Sequence, residues 1–339
     1  MRSLLLLLLS AGSYTVSYGQ TVSDYLQQGA DALGRGQQQP AYQAYKEAVA
    51  LDGENLEALR GMAATAENLR YAAIARETYK KILQLKNADT AAIRHLALLC
   101  FQTRQWPEAI DQAKHAILLN LGSGYEWIIA KSYYEMKEYR STLEYLEKSR
   151  KKDSSNAEAA FISARCQMEM NNYQRAVAAY EEAIRLDPGQ PSWKFEAGMV
   201  YLALNDTRNG VKWLENALAN GYPRNGEILE NLMNGYAELK NYEQATAMAT
   251  ELLKESPNDP ELLATLGEIQ LRNNQYPAAI GSFEKILAAD PRNAKAVFLS
   301  GIAHIKAGDK SKGESLCDRA IQMDPALRNL RQQRTELGL

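Results

Sequence analysis

A chain of 339 residues with 46% hydrophobic side chains can bury an extended core, and its 39 basic against 41 acidic residues leave a net charge of −2. That balance excludes a general electrostatic attraction to nucleic acid or to an anionic membrane surface. Twenty-one glycines and ten prolines are too few for a disordered or collagen-like chain.

Residues 1–19 differ in kind from the rest. Arg2 precedes the apolar run Leu4 to Leu9, and small residues follow, with Ser17 and Gly19 before Gln20. This order of basic, apolar and small residues is that of a cleaved secretory signal peptide. The run is far shorter than the ~20 apolar residues a membrane-spanning helix needs. The expectation is an exported protein, periplasmic or secreted, with no integral membrane segment after cleavage.

From Val22 a small residue recurs at a nearly constant step: Gly29, Ala63, Ala97, Ala130, Ala164, Gly198, then Gly267 and Gly301, with Met233 filling the one gap. Twelve residues after each stand Ala41, Ala75, Ala109, Thr142, Ala176, Gly210, Ala245, Ala279 and Gly313. Four further on, Tyr45, Tyr79, Leu146, Tyr180, Leu214 and Phe283 are bulky. Two helices can cross closely only where side chains are small. A bulky residue one turn later lies on the same helix face and fills the space to the next pair. Asp187-Pro188, Ser256-Pro257, Asp290-Pro291 and Asp324-Pro325 close units, because proline cannot continue a helix. Gly210 and Gly313 stand where other units have Ala, at an expected cost of about 1 kcal/mol each in helix propensity.

These columns define a stack of helix–turn–helix units, an all-α solenoid in which each unit packs only on its neighbours. The pattern resembles the tetratricopeptide repeat; the best match runs from Ala157 to Gln190, with Ala164, Tyr173, Ala176, Tyr180, Ala183 and Pro188 in place. The resemblance implies a right-handed superhelix whose concave wall comes from the first helix of each unit. Units one to six are expected over residues 22–225 and units seven to nine over 226–327. A division is expected at the irregular segment Asn220 to Gly226, where Gly and Pro replace the usual junction. Residues 328–339 read as a capping helix, with Leu327 and Leu330 inward and Arg328, Arg331 and Arg334 outward.

Chemistry-bearing patterns are sparse. His95, His115 and His304 have no His or Cys partner at three- or four-residue spacing, so no metal site is expected. No phosphate-binding glycine loop, nucleophile elbow or zinc-protease motif occurs. Cys100, Cys166 and Cys317 lie in repeats too far apart to pair and read as buried thiols. The expectation is a non-enzyme with no cofactor.

The wall positions that the resemblance implies carry Arg94, Leu98 and Phe101 in the third unit and Trp127, Lys131 and Tyr134 in the fourth. The fifth brings Phe161, Arg165 and Met168, and the sixth Phe195, Met199 and Leu202. Acidic residues follow: Glu227, Glu230, Asn234 and Glu238 in the seventh unit, Glu261 and Glu268 in the eighth. Trp106 falls at an inter-helix column, a structural place. Aromatic and Arg anchors are the types that carry interface energy, so the expected partner is a protein or peptide. The Lys, Asn and Arg clamp of the repeats that capture chaperone tails is not matched, with Leu26, Ala30 and Gly61 at its first positions. The sequence reading is an exported adaptor in envelope assembly or secretion. Two alternatives stand beside it: a holdase-type chaperone, and the targeting subunit of an enzyme complex.

Overall fold

The computed structural model describes residues 20–328. Among them eighteen α-helices and no strand form nine hairpins. The first four are α1 (Val22–Gly34) with α2 (Gln38–Leu51), α3 (Leu56–Asn68) with α4 (Ala72–Leu85), α5 (Thr90–Gln102) with α6 (Trp106–Leu118), and α7 (Tyr125–Glu135) with α8 (Tyr139–Lys152). The other five are α9 (Ala157–Glu169) with α10 (Tyr173–Leu186), α11 (Pro191–Ala203) with α12 (Thr207–Ala219), α13 (Gly226–Glu238) with α14 (Tyr242–Glu255), α15 (Pro260–Arg272) with α16 (Tyr276–Ala289), and α17 (Ala294–Lys306) with α18 (Lys310–Met323). The chain is an all-α solenoid.

Compact units meet at Lys152/Asp153, the first holding α1–α8 and the second α9–α18. The division expected after residue 225 therefore falls inside the second unit. The extended junction there does exist: residues 220–225 separate α12 from α13, where four residues suffice at most other junctions. Residues 119–124 form a second six-residue junction, between α6 and α7.

Small residues pack the hairpins as their columns require. Ala63, Ala97, Ala130 and Ala164 are fully buried, as are Ala41, Ala75, Ala109 and Ala176 across from the same column. Tyr45 shows the work of the bulky column: its ring lies against both Gly29 of the first repeat and Gly61 of the second, where an added methyl would come within 2.7 and 2.5 Å of it. Gly210 and Gly313 are accounted for by partners. A methyl on Gly313 would lie 2.6 Å from the carbonyl oxygen of Gly301, and one on Gly210 would lie 3.3 Å from that of Gly198. Backbone contact has replaced helix propensity in these two hairpins.

First helices begin at side-chain caps. Asn55, Asp89, Asn156, Asn225 and Asn293 each accept a hydrogen bond from the backbone N–H three residues on, at 2.9–3.2 Å, which satisfies a donor with no partner inside the helix. At the junctions Asp52, Asp153, Asp187, Asp290 and Asp324 accept from the N–H two residues on, the side chain closing the turn.

Within the hairpins the turn is the same nine times. Three residues join the helices, and the middle one has positive φ: Gly36, Arg70, Arg104, Lys137, Asn171, Asn205, Lys240, Asn274 and Gly308. The next N–H reaches back to a carbonyl five residues earlier, as in Gln37 to Ala32 at 2.9 Å and Asn241 to Tyr236 at 2.7 Å. This is the six-to-one bond of a Schellman motif. It lies seven residues after the small residue in every repeat, a column hidden by its mixed Gly, Arg, Lys and Asn occupants.

At the C-terminal end Leu327 is 5% exposed and packs with Val297, Phe298, Cys317 and Ala320, while Arg328 is exposed. The remainder of the expected capping helix, with Leu330, Arg331 and Arg334, and the expected signal segment 1–19 lie outside the described residues.

Candidate partner-binding surfaces

The residues expected to line the wall fall on both units. In the first, α5 carries Arg94, Leu98 and Phe101 at helical spacing on one face. Arg94 is exposed and Leu98 is 46% exposed, unusual for a leucine in the middle of a helix. Phe101 is half-buried because Trp106 meets it edge-on, 5.9 Å between ring centroids. Trp106 thus props up a wall residue from the start of the next helix.

On α7 the spacing of Trp127, Lys131 and Tyr134 sets the ammonium between two rings. Lys131 Nζ lies 5.9 Å from the centre of Trp127 and 5.8 Å from that of Tyr134, within cation–π range of both. Neighbouring Glu126 faces the other way, is 5% exposed, and accepts from Lys152 Nζ at 2.6 Å. On α5 itself, His95 stacks on Tyr79 of α4 at 5.4 Å, and its Nδ1 lies 3.0 Å from Glu67 Oε2. That carboxylate also accepts from the Tyr79 hydroxyl at 2.8 Å. Burial first, then the carboxylate, pushes the Tyr79 phenol far above its ordinary range.

In the second unit Phe161 stacks on Trp193, 4.8 Å and 14° apart, and meets Tyr180 edge-on at 6.0 Å. Arg165 reaches back over Phe161, its Cζ 5.7 Å from the ring, and its Nε lies 3.5 Å from Glu196 Oε2. Tyr180 donates to the same oxygen at 2.6 Å. Arg165 is therefore held by a carboxylate while its side chain stays half-exposed. Met168 and Met199 are half-buried. Phe195 departs from the expectation of an open groove residue. It is 8% exposed and stacks on Tyr222 at 4.4 Å and 9°, because the six-residue junction carries Tyr222 over it. Trp193 and Tyr222 are aromatic partners that column-reading missed. Only the irregular junction hinted at the second.

Farther along, Glu227 and Glu230 are exposed on α13 and form no ion pair among the described residues. Glu268 is half-buried, with Lys295 Nζ 3.3 Å from its carboxylate. Between α13, α15 and α17 opens a cleft of about 730 Å³ lined by Asn234, Ala237, Glu261, Ala264, Glu268, Arg272 and Lys295 among others. The acidic wall positions expected in repeats seven and eight are split by it: Asn234, Glu261 and Glu268 line it, and Glu227 and Glu230 do not.

Among the described residues no group of three His, Cys, Asp or Glu side chains could hold a metal ion. No helix there is long and apolar enough to cross a membrane. Cys100 is fully buried, and burial, with a hydrogen bond to Glu108, pushes its thiol up to about 12.

What remains is a helical-repeat wall of aromatic, basic and acidic side chains, the make-up of an interaction module. Tetratricopeptide-repeat family models match residues 236–281 and 264–327, and the model of anaphase-promoting complex, cyclosome, subunit 3 matches 124–183. The chain is a tetratricopeptide-repeat protein, of the class that serves as protein–protein interaction scaffolds. Protein O-mannosyl-transferase TMTC1 of Homo sapiens is 25% identical over 170 residues, covering 49% of this chain and 19% of that protein. The protein CTR9 homolog of Arabidopsis thaliana is 22% identical over 203 residues, covering 47% of this chain and 19% of its own length. The chain thus spans about a fifth of these curated relatives. Among solved structures YrrB, described as a TPR protein with an unusual peptide-binding site, is 22% identical with a TM-score of 0.44, over 53% of this chain and 92% of that one.

Proposed function

We propose that this protein is a non-catalytic adaptor that holds a peptide or partner subunit on the faces of its first helices. The observation that carries the reading is the Trp127–Lys131–Tyr134 cluster on α7, together with the exposed Leu98 and Arg94 on the preceding first helix α5. Half-buried aromatics around a cation offer a partner both apolar area and a polar handle, the composition found at interface anchors. The order of residues 1–19 supports export, and with it a role in envelope assembly or secretion.

The test is crosslinking in the native envelope followed by mass spectrometry, comparing wild type with Trp127→Ala and Lys131→Glu. Loss of an anchor of this type costs about 2 kcal/mol, roughly a 30-fold weaker complex. A partner set unchanged in both variants would remove this face from the function. Suppression of aggregation of unrelated unfolded proteins would favour a holdase instead.

A further inference from the structure

Along the first helices of the second unit, two positions that flank the small residue are bulky almost throughout. Three residues before it stand Phe161, Phe195, Glu230 and Phe298, and four residues after it Met168, Leu202, Leu271 and Ile305. Alanine interrupts each series once, at Ala264 in the eighth repeat and Ala237 in the seventh. Both alanines line the 730 Å³ cleft between α13, α15 and α17. Ile269, Ile286, Ala296 and Leu299 join them, so the floor between the two alanines is apolar.

The rim is charged. Glu261 is exposed and forms no ion pair among the described residues, whereas the Glu268 carboxylate is engaged by Lys295. Along α13, Glu227, Glu230 and Glu238 run on the same exposed face as rim residue Asn234, and none is ion-paired among the described residues. Arg272 is the one lining cation outside the Glu268–Lys295 pair. The lining itself balances Glu261 and Glu268 against Arg272 and Lys295, and the surplus lies beside it on α13, whose carboxylates favour and steer a basic partner.

Resting on the scaffold reading, we propose that this cleft receives a short peptide segment that places one or two large apolar side chains over Ala237 and Ala264. An adjacent lysine or arginine of that segment meets Glu261 and the α13 carboxylates. The volume matches the range in which concave sites enclose a ligand.

The experiment uses the full chain and fluorescence anisotropy with three labelled hexapeptides. One is Gly-Lys-Leu-Phe-Lys-Gly; the second replaces both lysines by glutamate, and the third replaces Leu-Phe by Ala-Ala. The expected result is at least tenfold tighter binding of the first than of either control, weakening as salt rises. Ala264→Phe fills the socket with the residue type that repeats five, six and nine carry there, and should weaken binding at least tenfold. Glu261→Lys, an exposed substitution that leaves the fold alone, should do the same and narrow the preference over the glutamate peptide. Equal affinity for the first two peptides, or undiminished binding by a folded Ala264→Phe or Glu261→Lys protein, overturns the proposal. If envelope crosslinks still depend on Trp127 when the cleft ignores all three peptides, the scaffold reading stands and this assignment alone falls. If crosslinks are indifferent to Trp127 and Lys131 while the cleft discriminates, the reverse holds.

Discussion

Gly301 and Gly313 face each other across α17 and α18 so closely that a methyl on either would lie 2.8 or 2.6 Å from the other's carbonyl oxygen. Alanine is the better helix former by about 1 kcal/mol, but overpacking costs about 1–3 kcal/mol and here the obstacle is backbone. Gly313→Ala should therefore lower the unfolding midpoint. Gly281→Ala, inside α16 with nothing within 4 Å of the added methyl, should raise it. Thermal unfolding of the pair decides, and a Gly313→Ala protein as stable as wild type would mean the hairpin can open without loss.

The left-handed turns yield a second expectation. Arg70, Arg104, Lys137 and Lys240 hold φ near +60°, where an L-residue with a Cβ is disfavoured by about 1–2 kcal/mol. Gly36 and Gly308 occupy the same place without that penalty. Lys240→Gly should stabilise by up to ~1 kcal/mol after the greater chain entropy of glycine is deducted, and Lys240→Val should destabilise. Urea unfolding of both variants, read against each other, checks the sign.

Glu126 occupies a column filled elsewhere by Leu59, Ile93, Leu229 and Leu263, and Lys152 is its ion partner. Removing one member of a buried pair typically costs about 3–5 kcal/mol; Lys152 is half-exposed, so Lys152→Ala should fall at or below the low end. The double variant with Glu126→Leu should recover most of that loss, since leucine suits the column. A double variant no more stable than Lys152→Ala would contradict this.

Acid titration should reveal the fork between Arg224 and Glu251, whose two hydrogen bonds measure 2.6 and 2.7 Å. The hydrogen bond from Arg224 holds the Glu251 carboxyl below its ordinary value of 4.5. A depressed carboxylate contributes stability that is fully present above the unfolded-state value and is lost as pH falls through the folded-state one. The stability gap between wild type and Arg224→Met should thus be constant from pH 8 to about 5.5 and shrink below about 4.5. A gap unchanged down to pH 3 would show that the fork contributes through packing alone.

How far these features could be read in advance depended on how directly chemistry dictates residue type. Small and bulky columns were legible because steric contact admits few substitutes, as at Ala97 and Phe283. The turn column was not, since Arg70 and Asn171 share a backbone shape that four residue types tolerate. The grouping of Trp127, Lys131 and Tyr134 on one helix face was legible from their spacing, but accessibility was not: Phe195 is covered by Tyr222 from an irregular junction no repeat column describes. The cleft could have been seen in outline, because Ala237 and Ala264 break two bulky series. An alanine draws attention only once its neighbours are known to be large.

Two six-residue junctions among four-residue ones divide nine hairpins into runs of three: residues 22–118, 125–219 and 226–323. Each longer segment opens on the same six-to-one bond as a hairpin turn, from Leu121 N–H to the Ala116 carbonyl at 3.0 Å and from Tyr222 N–H to that of Ala217 at 2.9 Å, and then adds three further residues. A protease offered the native protein should accordingly nick residues 122–124 and 223–225, which lie beyond the six-to-one bond, before any hairpin turn, where the next helix follows that bond directly. The fragments released would each be a whole number of repeats. By the same logic, a partner that needs more than three consecutive hairpins must grip the array across a seam, and would protect that seam from cleavage while bound.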